Sequence, residues 1–390
     1  MAVSIYELKL GYLFKKAKIN ASELNDLLLV DSGRSALFLL LQTLQKEHGQ
    51  LDVYVNAYTT DVVHTTIRSL GVNLIPYDID PYDFRARVRP ISTSAKLVFI
   101  QTGLFGFNCF DKDLYHLVKE QGGYFIEDCC NSFGSIIEDQ PAGSYGDAAI
   151  YSFRVGKALS SGGGALKVNN EVLKKLLMPA YQSLMEISPW QSRKNLYRVY
   201  IDYLLFEPFI LTNISRPVRA LQKRFSILNG LVQGGVVDTL SKVDASSIHK
   251  MGPLQIDLAL KRLYNFDNEL KEKKVVSDYL SKHLEKYDVY VYSNCSENYK
   301  GWNYLFFPIL LERDQPDEFI KLVRKSGFDA TRFHFESPLK SFPDLSRKDF
   351  SGTFKLIDKL VVIPNTTRMR GKEEKLVNVI DHYFSNIKPR

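Results

Sequence analysis

Through its first 170 residues the chain alternates short apolar runs with amphipathic stretches of helical spacing. "ALFLLLQTLQKE", just after "DSGRS", predicts a helix. "DVYVNAY" predicts a strand, "TDVVHTTIRSLG" a helix stopped at Gly71, and "VNLIPYDID" a strand. "AKLVFIQTG" reads as a buried strand, "DKDLYHLVKEQG" as a helix and "YFIEDCC" as another strand, with "GDAAIYSF" and "GALKVNN" as two more. This alternation predicts an α/β domain with a mostly parallel sheet. Ligands of such sheets sit at the carboxyl ends of the strands. Asp128 ends a strand, Lys157 lies just beyond one, and Ser32–Ser35 opens a helix, so all three are expected to face one crevice.

From Pro253 the pattern predicts one long helix, "PLQIDLALKRLYNFDNELKEKKVVSDYLSKHL", with Ile256, Leu260, Leu263, Phe266 and Leu270 at helical spacing. Strands ("YLFFPILL", "KLVVIP") and helices ("PDEFIKLVRKSG", "EEKLVNVIDHYF") follow and predict a smaller α+β domain. The expected units are residues 1–170, a segment 171–250 attached to the first, and 251–390 with the joining helix. The middle segment holds "PWQSRKNLYRVYIDYLLFEPFILTNISRPVRALQKRF", apolar and aromatic residues mixed with Arg and Lys. Arg198, Asp202, Glu207 and Pro208 interrupt it too often for a membrane-spanning helix. Two readings fit: a helical insertion packed on protein, or an interfacial segment over 190–225 that lies on a membrane.

Composition narrows the class. The 390 residues are 45% hydrophobic and 24% charged, enough for two domains with a large core. The start, "MAVSIYELKLGYLFKKAKIN", lacks the apolar core and cleavage site of a signal peptide. Cys109, Cys129, Cys130 and Cys295 show no metal-ligand spacing and predict reduced thiols in a cytoplasmic setting. The net charge of +7 suits an anionic ligand or a negative membrane surface, but Lys and Arg are not clustered as in a nucleic-acid binder.

"YSFRVGKALSSGGGALKV" places a lone lysine between two strands and before three glycines. Desolvating a lysine is costly, so a semi-buried one has a partner or a task. A lysine amine forms a Schiff base with an aldehyde. Pyridoxal 5'-phosphate (PLP) supplies that aldehyde, needs a carboxylate against its ring nitrogen, and needs a phosphate cradle of the kind a Gly/Ser turn at a helix N-terminus provides. "SFRVGK" can supply the amine, "FIEDCCNS" the carboxylate and "SGRSALFLLL" the cradle, with Ser152 as an added phosphate donor. Each piece alone has a plainer reading: a helix N-cap, a strand-end turn residue, a tight hairpin, a solvated lysine.

The block "FIEDCCNSFGSIIEDQPAGSYGDAAIYSFRVGKALSSGGGALKVNN" resembles the signature of the DegT/DnrJ/EryC1/StrS family of PLP-dependent sugar aminotransferases, including its Asp-to-Lys spacing. "VYVNAYTTDVVHTTIRSLGVNLIPYDIDP", "KMGPLQIDLALKRL", "FDATRFHFESPLKSF" and "LVVIPNTTRM" resemble further segments of that family. The resemblance implies the type I PLP-transferase fold, with a PLP-binding large domain and a smaller C-terminal one. It implies that Lys157 carries the cofactor and moves the proton between substrate and cofactor carbons, and that Asp128 pairs with the ring nitrogen. Gly33, Arg34, Ser35 and Ser152 would hold the phosphate, and Asn131 would face the cofactor's hydroxyl. It implies a homodimer, glutamate as amine donor, and a keto-sugar acceptor on a nucleotide, such as a 4-keto-6-deoxy sugar for a surface polysaccharide or glycan.

The chain departs from the family at the substrate-facing positions. Thr60 stands where an aromatic stacks on the cofactor, Asn131 where Gln or His is usual, Gly103 where "HLYG" has its His, and Arg154 where His is common. "DASSIHKM" lacks the family's asparagine that reaches the neighbouring subunit. Two other readings therefore stand beside the sugar aminotransferase: a non-catalytic, binding or regulatory member of the family, and a PLP enzyme acting on a lipid-linked ketone at the inner face of a membrane.

Overall fold

The computed structural model describes residues 2–14, 24–88, 91, 93–108, 110–215, 247–292, 301–312, 315–333 and 336–386. The apolar runs become strands β1 (Leu27–Val30), β2 (Leu51–Asn56), β3 (Asn73–Ile79), β4 (Ala86–Arg87), β5 (Lys96–Thr102), β6 (Tyr124–Asp128), β7 (Ile136–Ile137), β8 (Gln140–Pro141), β9 (Ala148–Ser152) and β10 (Gly164–Val168). The amphipathic stretches between and after them become helices α1 (Gly33–His48), α2 (Asp61–Ser69), α3 (Lys112–Glu120), α4 (Glu171–Gln182) and α5 (Pro189–Leu205).

Among the described residues the main sheet runs β1-β10-β9-β6-β5-β2-β3-β4, while β7 and β8 form a separate small hairpin. The run from β9 through β6, β5 and β2 to β3 is parallel, and β1, β10 and β4 pair antiparallel at the two edges. β2 and most of β5 and β6 are buried on both faces, as parallel strands covered by helices require. On one face Leu37, Leu40 and Leu44 of α1 pack over Val53, Val55, Val98 and Ile126. On the other, Tyr77, Phe99 and Phe125 stack at centroid separations of 4.8 and 5.7 Å. That aromatic layer is continuous with the core of the C-terminal unit.

The C-terminal unit contains α6 (Pro253–Tyr264), α7 (Phe266–Leu284), β11 (Val289–Val291), β12 (Phe307–Leu311), α8 (Pro316–Lys325), α9 (Ser351–Lys359), β13 (Leu360–Ile363) and α10 (Glu373–Asn386), its three strands antiparallel. The single helix expected from Pro253 is instead two helices that break at Asn265. The Asn265 amide donates to the Lys261 carbonyl at 2.8 Å and its backbone N–H to Arg262 at 3.1 Å, so a side chain and a tightened turn take over from the helical ladder. β1 was not anticipated, because four apolar residues ahead of a turn are short even for a strand. The first residues, grouped by sequence with the large unit, lie on the small one: Val3 pairs in parallel with Phe328.

The 171–250 segment is described up to 215 and again from 247, so the remainder of the expected 190–225 interfacial stretch lies outside the described residues. Within it, α5 buries Val199 and Tyr203 in a cluster with Leu8, Phe206 and Leu258, as the packed-insertion reading expects. Its opposite face leaves Trp190, Tyr197, Ile201 and Leu204 exposed. Among the described residues no helix is long and apolar enough to cross a membrane. Cys129 and Cys130 are free thiols, and Cys109 and Cys295 lie outside the described residues.

The two units are joined by a carboxylate that caps a helix of the other unit. Buried Asp78 of β3 accepts from the Gly352 and Thr353 N–H groups at 3.0 and 2.8 Å and from the Thr353 hydroxyl at 2.7 Å. A Cβ at Gly352 would stand 1.7 Å from the Ile79 carbonyl oxygen, so only glycine lets α9 start this close to β3. Asp78→Ala leaves those donors buried without an acceptor. We expect it to lower stability by about 2–4 kcal/mol in urea unfolding. A loss below about 0.5 kcal/mol, within the range of an ordinary surface substitution, would show that the cap does not join the units.

Candidate active site

The carboxyl ends of β6 and β9, the N-terminus of α1 and one face of α5 enclose a cavity of about 1210 Å³. Gly33, Arg34, Ser35, Asp128, Asn131, Ser152 and Lys157 all line it. The crevice expected from the strand–helix alternation therefore exists, and it gathers the residues expected to hold the cofactor.

Glycine makes the gathering geometrically possible. A Cβ at Gly164 would lie 2.3 Å from the Gly33 nitrogen, and one at Gly33 would lie 3.0 Å from the Ser152 Cβ. The first turn of α1 thus rests directly on the β9–β10 hairpin. Its first N–H groups have no partner within the helix and carry the positive end of its dipole. Ser32 caps the turn, accepting from the Ser35 N–H at 3.1 Å. The Ser35 hydroxyl donates to Asp31, a residue the sequence reading passed over. Asp31 also accepts the His249 N–H at 3.2 Å, which ties the end of the 171–250 segment to the cradle. Burial holds the Asp31 carboxyl above its ordinary range, against the pull of the Ser35 and His249 hydrogen bonds.

Lys157 sits in the loop between β9 and β10, where Gly156 at φ 92° and Gly162 at φ 77° turn the chain. Its Nζ donates to the Asn131 Oδ1. Enclosure by protein holds its amine below the ordinary lysine range, and Asp128 offsets part of that effect. Asp128, at the end of β6, is 5% exposed and accepts from the Cys130 N–H at 3.2 Å. Burial raises its carboxyl, while Cys130, Lys157 and Thr102 favour the charged form. The loop after β6 is fixed by Asn303, whose amide donates to the Asn131 and Phe133 carbonyls at 2.8 and 2.9 Å. The arrangement offers a neutralisable amine, a buried carboxylate and an anion cradle around one space.

The departures also find their places. Thr60 lines the cavity, but Tyr58 is buried away from it and donates its hydroxyl to the Phe333 carbonyl at 2.5 Å. The aromatic surface of the cavity comes instead from Tyr6, Phe206, Phe306 and Phe333, with Phe306 and Phe333 at 4.6 Å between centroids. At Gly103 a Cβ would come within 2.5 Å of the Ser132 hydroxyl, so the loop after β6 occupies the room a larger side chain would need. Gln191, Asn195 and Arg198 of α5 also line the cavity. Their i, i+4, i+7 spacing was the sequence signal for a polar face, hidden by the aromatic residues between them.

Comparison with known proteins places these elements. The sequence profile of the DegT/DnrJ/EryC1/StrS aminotransferase family matches residues 23–187. The GDP-perosamine synthase of Vibrio cholerae is 29% identical over 145 residues, 36% of this chain and 39% of that protein. The dTDP-4-dehydro-2,3,6-trideoxy-D-glucose 4-aminotransferase of Saccharopolyspora spinosa is 28% identical over 174 residues, 43% of this chain and 44% of that protein. The match thus spans about two fifths of each curated relative. A structure described as a sugar aminotransferase, Spr1654 of Streptococcus pneumoniae in its PLP form, superposes with a TM-score of 0.68 over 98% of this chain and 99% of its own, at 14% identity. Residues 23–187, which hold the cradle, the carboxylate and the lysine, match the profile of the DegT/DnrJ/EryC1/StrS aminotransferase family, and the chain shares the α/β fold of that solved structure.

Proposed function

We propose that this chain is a PLP-dependent aminotransferase that moves an amino group from glutamate to a ketone on a nucleotide-linked sugar. The observation that carries the reading is the convergence of Lys157, Asp128 and the Ser32–Ser35 turn on one cavity. The named relatives, which act on GDP- and dTDP-linked sugars, support the acceptor class. The residues present fit PLP: Gly33 keeps the floor of the cradle open, and a lysine and a carboxylate face the same space.

Bound PLP supplies an electron sink for the carbon that loses or gains the amine. The rest of the chemistry belongs to the chain. Lys157, its amine lowered by enclosure, is placed to give and take the proton at that carbon. Asp128, buried at the end of β6, would hold a proton on the ring nitrogen through its charge. The N–H groups of Gly33 and Arg34 and the Ser152 hydroxyl would hold the phosphate, with Ser35 braced against Asp31 behind them. Asn131, which accepts from Lys157, orients that amine and the cofactor's hydroxyl. The free thiols Cys129 and Cys130 suit a reducing, cytoplasmic setting, and the family resemblance suits a homodimer.

A membrane contact is a second part of the reading, and one observation favours it. Trp190, Tyr197, Ile201 and Leu204 are 68%, 67%, 52% and 43% exposed on one face of α5, beside Arg193 and Lys194. An apolar stripe with adjacent cations suits an anionic lipid surface. On this account the protein co-sediments with phosphatidylglycerol-containing vesicles at low salt, and Ile201→Asp reduces the bound fraction several-fold. Failure to partition at low salt would remove the membrane contact.

The aminotransferase reading is tested by absorbance. With added PLP the wild type is expected to show the visible band of lysine-bound cofactor. Excess glutamate should bleach it, and Lys157→Ala should never form it. A band that survives glutamate would favour the binding or regulatory reading.

A further inference from the structure

A second groove, of about 470 Å³, lies where the end of α5 meets the N-terminal segment, and it shares no lining residue with the cofactor cavity. Lys9, Glu207, Pro208, Arg368 and Lys372 line it. Its walls come from three stretches of chain far apart in sequence, held together by hydrogen bonds. The Glu207 carboxylate accepts from the Leu10 N–H at 3.0 Å and from the Arg368 guanidinium at 2.6 Å. Arg368 also donates to the Leu8 carbonyl at 2.9 Å, and the Ala2 N–H donates to the Thr212 hydroxyl at 2.8 Å.

The charge of the groove is unbalanced. Glu207 is the one carboxylate among its lining residues, and Arg368 neutralises it. Both bonds from Arg368 use Nη2, so Nε and Nη1 have no partner among the described residues. Lys372 is exposed and makes no ion pair among the described residues, and its neighbour Glu373 is paired with Arg370 at 3.8 Å. Lys9 adds a further cation. The acid it influences, Glu7, is buried and already accepts from the Thr367 N–H and hydroxyl at 2.6 and 2.9 Å. Two lysines and the unused edge of a guanidinium around one braced space suit a phosphate group.

Apolar side chains stand beside these cations. Pro208 lines the groove, the next residue Phe209 is 63% exposed, and Ile214 in the following turn (Leu211–Ser215) is 49% exposed. Along the chain they follow the exposed Ile201 and Leu204 of α5. A soluble phosphate has no use for an exposed Phe and Ile. A phospholipid offers both a phosphate and an acyl boundary.

We propose that the groove of Lys9, Arg368 and Lys372 binds the phosphate of an anionic phospholipid, with Phe209 and Ile214 entering the acyl boundary beside it. The inference rests on the membrane contact proposed above and not on the aminotransferase chemistry. It adds a headgroup site to that contact, on a different part of the surface from Trp190 and Tyr197.

The test is flotation of the PLP-loaded protein with two kinds of vesicle, phosphatidylcholine alone and an equimolar mixture with phosphatidylglycerol. The wild type is expected to float with the mixed vesicles and not with the neutral ones, and less so as salt rises. Lys372→Ala should weaken partitioning about 5-fold, and Lys372→Glu about tenfold or more. Lys175→Glu, the same charge change at an exposed position on α4 outside the groove, should bind like the wild type. Urea unfolding at the wild-type midpoint shows that each variant is folded. Equal binding to both vesicles would overturn the proposal, as would equal losses in Lys372→Glu and Lys175→Glu. If Ile201→Asp lowers partitioning and Lys372→Glu does not, the membrane contact stands and the headgroup site falls. No wild-type binding to either vesicle would defeat both together. Calorimetric titration with inorganic phosphate separates the two sources of the anion: Lys372-dependent binding of phosphate without vesicle binding would assign the groove to a soluble ion and overturn the lipid site.

Discussion

The contact of two glycine backbones, Gly33 on Gly164, sets the geometry of the site. With no Cβ at either position, the first turn of α1 sits against the β9–β10 hairpin, and a side chain at Gly164 would collide with backbone at 2.3 Å. That approach brings the N-terminus of α1 beside the loop that carries Lys157, while parallel pairing of β6 with β9 puts Asp128 next to both. Anion cradle, amine and carboxylate come from three separate stretches of chain. They meet because one edge of the sheet is packed at backbone-to-backbone distance.

A second constraint is a buried charge cluster in the small unit, which reaches the large one through Arg262, a donor to the Ala158 carbonyl at 3.3 Å. Where α6 gives way to α7, Arg262 and Glu269 are buried and paired at 2.9 Å, and Lys273 is buried close by. Glu7 enters the same region from the N-terminal segment and accepts from the Thr367 N–H and hydroxyl at 2.6 and 2.9 Å. A buried charge cluster of this kind is a weak source of stability but a strong selector of one arrangement, since removing any member strands the others. Together with the Asp78 cap it fixes how the small unit, with Phe306 and Phe333, closes one side of the cavity.

Much of this was legible in the sequence, for physical reasons. The parallel strands are apolar runs separated by amphipathic helices, so periodicity marks them along the chain and predicts a mostly parallel sheet, though not their order within it. The glycines around Lys157 stood out because three in succession between strands leave little else for backbone to do than pack closely or turn. What was hidden depended on distant contacts. β1 is too short to announce itself, and its partner β10 lies more than a hundred residues away. The break at Asn265 is made by one side-chain bond that leaves the apolar spacing intact. Asp31 carries no signal of its own in the sequence, because what it holds depends on the return of the chain at His249. The polar face of α5 is interleaved with Trp and Tyr, so the same 17 residues read as an apolar segment until folding turns Arg198 and Trp190 to different surroundings.

The most direct measurement is peptide mass spectrometry after borohydride reduction of the protein incubated with PLP. Reduction makes any lysine-bound cofactor permanent. The account predicts that one tryptic peptide, the one containing Lys157, carries the added mass. Labelling spread over surface lysines, or confined to a lysine elsewhere, would contradict the placement of the cofactor in this cavity.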